Sequence, residues 1–181
     1  LIPGGGGLAF GARRAAEDHG AAPDAYLLDF LKKYVLAAGT AQVSRSAIEA
    51  RALGYLLPED RIVFHRQELL YAAIREAKAM SDAGYRPPRK SMIKVAGRAG
   101  GATVSAQMLN MRDGGFISAH DYHLGRTIAE VMCGGDVEPG SVVDEEWLMA
   151  LERKAFVGLL THPKTQERVM GMGQTGKPVR N

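Results

Sequence analysis

Apolar residues recur at every third or fourth position through almost every segment of this 181-residue chain, and glycine or proline closes nearly all of those segments. A stripe at that spacing gathers on one face of a helix but scatters over both faces of a strand, so the chain must fold as a mainly α protein. Pro23 and Asp24 open a helix over Tyr26 to Leu36 that stops at Gly39, and Phe10 to Glu17 forms an earlier one ending near Gly20. Leu69, Leu70, Ala73, Ile74, Ala77 and Met80 line one face of a helix that ends near Gly84. Residues 102–113, 118–133, 144–160 and 163–172 read as four more, the third carrying Trp147, Leu148, Leu151, Ala155, Leu159 and Leu160 as its stripe. Against this stands Arg61-Ile62-Val63-Phe64, a β-branched and aromatic run after Pro58 that predicts a strand. The expected class is mainly α with one or two short strands.

Two helix starts are specified by chemistry as well as by pattern. Ser46 and Glu49, and again Ser118 and Asp121, have capping-box spacing, in which hydroxyl and carboxylate satisfy free amides of a first turn. Gly134-Gly135 marks the end of the helix that Ser118 begins. Pro87-Pro88 blocks helix continuation, and the bases, prolines and glycines around Ile93-Lys94-Val95 read as a joint. The expected division is therefore residues 1–86, a linker over 87–101, and an all-helical part over 102–181.

Hydrophobic residues at 46% and charged residues at 24% match a folded globular chain and exclude a disordered one. No apolar run approaches the roughly 18 residues of a membrane span. The net charge of +3 is spread from Arg13 to Arg180 without a basic stripe, so a nucleic-acid partner is not expected. A lone cysteine, Cys133, suits a reducing compartment such as the cytoplasm. Leu1-Ile2-Pro3 followed by four glycines lacks the parts of a signal peptide, and the chain reads as a fragment.

Gly4 to Gly7, opening a helix, can offer backbone amides to an anion or a polarised carbonyl, with a flexible linker as the plainer alternative. Gly4-x-Gly6-x-x-Ala9 imitates a dinucleotide fingerprint but has no preceding strand, and Gly6 to Gly11 has phosphate-loop spacing with Ala12-Arg13 where Lys and Ser/Thr are needed. His120 and His123 share a helix face, yet two imidazoles do not complete a metal shell, so capping and surface roles are expected and no metal. His19, His65 and His162 fall near helix ends, and Cys133 has no activating partner in the sequence. Glu49, Glu59, Glu68 and Glu76 each suit a cap, a turn or a solvated face. Lys164, Arg168, Lys177 and Arg180 offer charge to phosphates or, more simply, to solvent. On these residues alone the function stays open.

Several stretches carry a resemblance. Ile2-Pro3-Gly4-Gly5-Gly6-Gly7 is similar to the proline-glycine turn that opens a helix in the crotonase (enoyl-CoA hydratase/isomerase) superfamily. Ser46 to Leu56, followed by the helix over Gln67 to Met80, resembles that superfamily's next segments in order and spacing. Gly115 to Asp121, Cys133 to Val137, Lys164 to Arg168 and Thr175 to Asn181 resemble the C-terminal end of bacterial fatty-acid-oxidation proteins that join a 3-hydroxyacyl-CoA dehydrogenase to a hydratase-like domain.

The resemblance implies that residues 1–86 are the C-terminal portion of a crotonase-like core and 102–181 a helical extension that covers the acyl pocket or builds subunit contacts. It implies that the two acid/base glutamates and the oxyanion-hole amides lie upstream of Leu1, leaving no catalytic residue here. Gly4 alone is carried over, matching the glycine whose amide helps position the added water; Leu8-Ala9-Phe10 replaces the usual Thr-Gln-Arg. The implied parent acts on acyl-CoA and uses NAD in its dehydrogenase part, while this piece holds no cofactor and is expected to be inactive alone. Its partners would be the upstream part of the parent, acyl-CoA and further copies of itself. The competing expectation is a non-enzymatic helical module that oligomerises or binds a partner. A third, an autonomous enzyme built on His120 and His123, predicts dependence on a metal.

Overall fold

The computed structural model describes residues 1–87 and 89–181, so the second proline of the expected helix stop, Pro88, lies outside the described residues. Eight α-helices and two two-residue strands are found among the described residues. The chain divides into two compact units, residues 1–42 together with 91–181, and residues 43–90.

The discontinuous unit holds the hydrophobic core. Helix α1 (Gly7–His19) packs on α2 (Leu27–Gly39), α6 (Ala119–Met132) and α7 (Glu145–Leu160), while α5 (Gly97–Asp113) packs on α6. The small side chains Ala9, Ala12 and Ala15 are fully or nearly buried, which lets α1 approach its neighbours closely. Leu8, Leu31, Tyr34, Ile128, Met132, Leu148 and Leu159 fill the space between these helices. The Tyr34 hydroxyl donates to Asp18 at 2.7 Å, tying α2 to α1. Burial and then this hydrogen bond push the phenol up to about 12.

Sequence and structure differ most around the expected linker. Ile93–Lys94 is strand β1, paired antiparallel with β2 (Val142–Val143) in the register Ile93 to Val143 and Lys94 to Val142. Ile93 and Val95 are buried in the same core as α1 and α2, and α5 begins at Gly97 rather than at residue 102. Residues 91–101 are thus a core segment rather than a linker, because two alternating apolar side chains were enough to anchor them. Residues 1–42 share that core with the C-terminal helices, so the chain does not divide in sequence order.

The unit over 43–90 contains α3 (Ala47–Ala52) and α4 (Leu69–Asp82), neither of which buries a residue. Ser46 caps α3 by accepting from the Glu49 amide at 3.0 Å, but Glu49 reaches back to the Arg45 amide instead of closing the box on Ser46. The predicted strand over 61–64 does not form. No neighbouring strand pairs with it, and Phe64 stands 84% exposed, so β propensity had neither a ladder nor a packed face to act through. An Arg61 to Glu76 ion pair at 3.3 Å joins this segment to α4, and the Arg51 guanidinium donates to the Asp60 carbonyl.

The last three helices follow the sequence closely. Ser118 and Asp121 complete a capping box at the start of α6, at 3.0 and 3.1 Å. Asp144 caps α7, and His162 caps α8 (Pro163–Thr175) by accepting from the Lys164 amide.

Candidate functional site: the glycine turn and its carboxylate

Residues 3–6 lead into α1 without regular structure, and Gly6 has φ +97°, a left-handed conformation that glycine adopts without strain. A glycine at the cap position has no side chain to satisfy the free amides of the first helical turn. Much of that need is instead met from far away in the sequence. The Glu152 carboxylate accepts from Gly6 N–H at 2.9 Å through Oε1, and from Leu8 and Ala9 N–H at 3.0 and 3.1 Å through Oε2. Its side chain is 1% exposed and has no cation partner among the described residues. The positive end of the α1 dipole and three amides together hold the buried charge.

Gly4 lies two residues before this cap and is exposed. It packs so closely on α7 that a Cβ there would come within 2.4 Å of the Phe156 ring, and the Gly6 position faces Met149. Met149, Glu152 and Phe156 fall at i, i+3 and i+7, so one face of α7 forms the bed of the glycine turn. The expectation that these glycines offer amides to an anion therefore meets a resident occupant. Phosphate or a dinucleotide pyrophosphate needs the same amides that Glu152 holds, and a fixed carboxylate repels them. These residues do not fit an NAD site.

Among the carboxylates considered from sequence, Glu49 serves as a local cap, Glu76 pairs with Arg61, and Glu59 and Glu68 are exposed. Glu152 is not among them. Its signal was position: it falls on the apolar stripe between Leu148 and Ala155 and Leu159, where a charged residue demands a partner.

His120 is 2% exposed rather than at the surface, contrary to the sequence expectation. Its ring stacks on His162 at 4.6 Å and lies 6.1 Å from His123, while its Nε2 meets the buried Thr165 hydroxyl at 3.1 Å and its Nδ1 has no partner. Burial, then the positive charge of Arg168 and the neighbouring imidazoles, bring its pKa down to about 4. The cluster stays neutral at His120 and joins α6 to α8. Among the described residues no group of three or more His, Cys, Asp or Glu is arranged to hold a metal ion. His19 is buried with a ring nitrogen 3.1 Å from the Pro23 carbonyl, and His65 is exposed. Burial pushes the Cys133 thiol up to about 12, which leaves it an inert core group.

An open cleft of about 580 Å³ runs between α5 and α6, and its two arginines are already neutralised. Arg98 pairs with Asp136 at 3.3 Å and with Glu138, and Arg126 with Glu130 at 2.7 Å. Arg168 is also committed, to Asp121 at 2.8 Å and to Asn181, while Lys164, Lys177 and Arg180 are exposed.

The chain is 38% identical across 184 aligned residues, over its whole length, to a probable 3-hydroxyacyl-CoA dehydrogenase of Bacillus subtilis (strain 168). It spans 22% of that protein's length. No family model matches the sequence. No solved structure matches it. No helix among the described residues is long and apolar enough to cross a membrane.

Proposed function

We propose that residues 1–181 are the C-terminal part of a longer cytoplasmic fatty-acid β-oxidation protein that hydrates 2-enoyl-CoA and oxidises the resulting 3-hydroxyacyl-CoA with NAD. The observation that carries this reading is the similarity along the entire chain to a much longer protein named as a probable 3-hydroxyacyl-CoA dehydrogenase. The hydratase half rests on the resemblance of the glycine turn and the helices after it to crotonases. In this reading Gly4 contributes its backbone amide to the position of the added water. The two acid/base glutamates and the NAD-binding residues belong to the part of the protein before Leu1. The 181-residue piece is therefore scaffold and cover, without turnover of its own.

Supporting this division of labour, the glycine turn is exposed at Gly4, and the acid that bonds the turn, Glu152, is spent on three amides. General acid/base work needs a carboxylate free to exchange a proton with substrate. The test is hydration of a short 2-enoyl-CoA, followed by loss of the conjugated thioester absorbance, for the chain and the longer protein side by side. Activity in the longer protein alone is the expected result. Equal activity in both overturns the placement of the chemistry, and activity in neither overturns the hydratase half.

A binding role is favoured by one further observation, the exposed apolar face of α4. It is compatible with the main reading, with the rest of the longer protein or a second copy as the partner.

A further inference from the structure

Glycine at position 6 poses a problem that the fold answers at a distance. Position 6 needs φ +97°, and a glycine there leaves the first amides of α1 without a local cap. A serine or aspartate cap would have solved the helix start more simply, had helix initiation been the only requirement. Instead a buried carboxylate arrives from α7, 146 residues along the chain, and bonds the turn itself through Gly6 as well as the helix through Leu8 and Ala9. Phe156, four residues after Glu152 on the same face, closes the space beneath Gly4. The turn is thus gripped at both ends by one helix.

We propose that Glu152 is a positioning residue: its carboxylate fixes the glycine turn so that Gly4 holds its place against bound substrate. This rests on the hydratase reading above and adds to it a role for α7, which becomes the foundation of the substrate turn rather than a cover over it. Loss of the charge-assisted bonds at Gly6 frees the backbone two residues from Gly4, and a shift of about 1 Å at a substrate-positioning group costs on the order of a hundredfold in rate.

The experiment has two readouts on Glu152→Gln, which places an amide donor against amide donors, and on Glu152→Asp, which keeps the charge but withdraws it by one methylene. In the 181-residue chain, hydrogen exchange at Gly6, Leu8 and Ala9 is expected to be slow in the wild type and about tenfold or more faster in Glu152→Gln, with α5 unchanged. In the longer protein, enoyl-CoA hydration by whichever variant keeps the wild-type melting temperature is expected to lose kcat by roughly a hundredfold with KM nearly constant. Unchanged kcat in a folded variant overturns the inference and leaves the hydratase reading intact. Wild-type exchange at Gly6, Leu8 and Ala9 as fast as at exposed Gly4 and Gly5 overturns it without any variant. An inactive wild-type longer protein sinks the hydratase reading, and this inference falls with it, while the exchange data still report the cap.

Discussion

A neutral imidazole in a cationic neighbourhood makes His120 the residue whose environment leaves the clearest mark on stability. Its ring sits against His162 and His123, with Arg168 nearby, and its folded pKa is about 4 against an ordinary value of 6.5. Below pH 6.5 the unfolded chain takes up a proton that the folded chain refuses until about pH 4. The stability that His120 contributes is therefore complete above pH 6.5 and lost progressively as pH falls towards 4. A shift of this size is worth at most about 3 kcal/mol. Urea unfolding across this range checks it: His120→Gln, which keeps a polar contact for Thr165 but cannot titrate, is expected to flatten the slope. An unchanged slope in a folded His120→Gln protein would assign the acid sensitivity to other groups.

Among the elements, α8 shows how polar contacts replace a core. Its only buried residue is Thr165, so packing alone offers little to hold it. Arg168 supplies the tie: its guanidinium bonds Asp121 at 2.8 Å and the Asn181 side chain at 2.8 Å. Burial disfavours the Asp121 charge, but the Arg168 hydrogen bond and those from Ser118 outweigh it and hold the carboxyl below its usual range. Arg168→Met is expected to cost about 2–3 kcal/mol locally, because it leaves Asp121 half-buried without its cation. Faster amide exchange confined to α8 is the predicted signature; a uniform loss across all helices would mean that α8 is integral to the core. Lysine is not expected to rescue, since it cannot bond Asp121 and Asn181 in one plane.

The helices themselves were legible because their signals are local. Ser118 with Asp121, Pro163, and the Gly134-Gly135 stop fixed α6 and α8 to within a few residues, and the observed bounds agree. What escaped were features whose cause lies elsewhere in the chain. Arg61 to Phe64 has the residues of a strand but no partner, whereas Ile93-Lys94 is a strand only because Val142-Val143 pairs with it. The candidate site was half legible for the same reason. A run of four glycines at the start of a helix announces a turn, while the carboxylate that fills it comes from a helix far along the sequence. The signal of Glu152 was a charge on an apolar stripe, readable in principle and meaningful only beside an uncapped helix.

At the scale of the whole molecule, hydrophobic surface is distributed unevenly between the two units. Every residue of the main hydrophobic core lies in 1–42 or 91–181, and the unit over 43–90 contributes none. Yet α4 has the composition of a helix made to be covered. Leu70 is 71% exposed, Ile74 46% and Tyr71 66%, and Leu70, Ile74 and Ala77 share one face at i, i+4 and i+7. Neighbouring apolar groups left in water in this way favour association, since covering them returns roughly 25 cal/mol for each Å² removed from solvent. The 181-residue chain is therefore expected to self-associate as its concentration rises, with sizing and light scattering as the measurement. Charge placed on that face, as in the double variant Leu70→Glu with Ile74→Glu, is expected to return it to a monomer without lowering the melting temperature, because neither side chain supports the core. A wild-type chain that stays a monodisperse monomer at high concentration sinks the association outright. Association that survives the double variant moves the contact to another surface, and α4 then needs a different explanation for its exposed face.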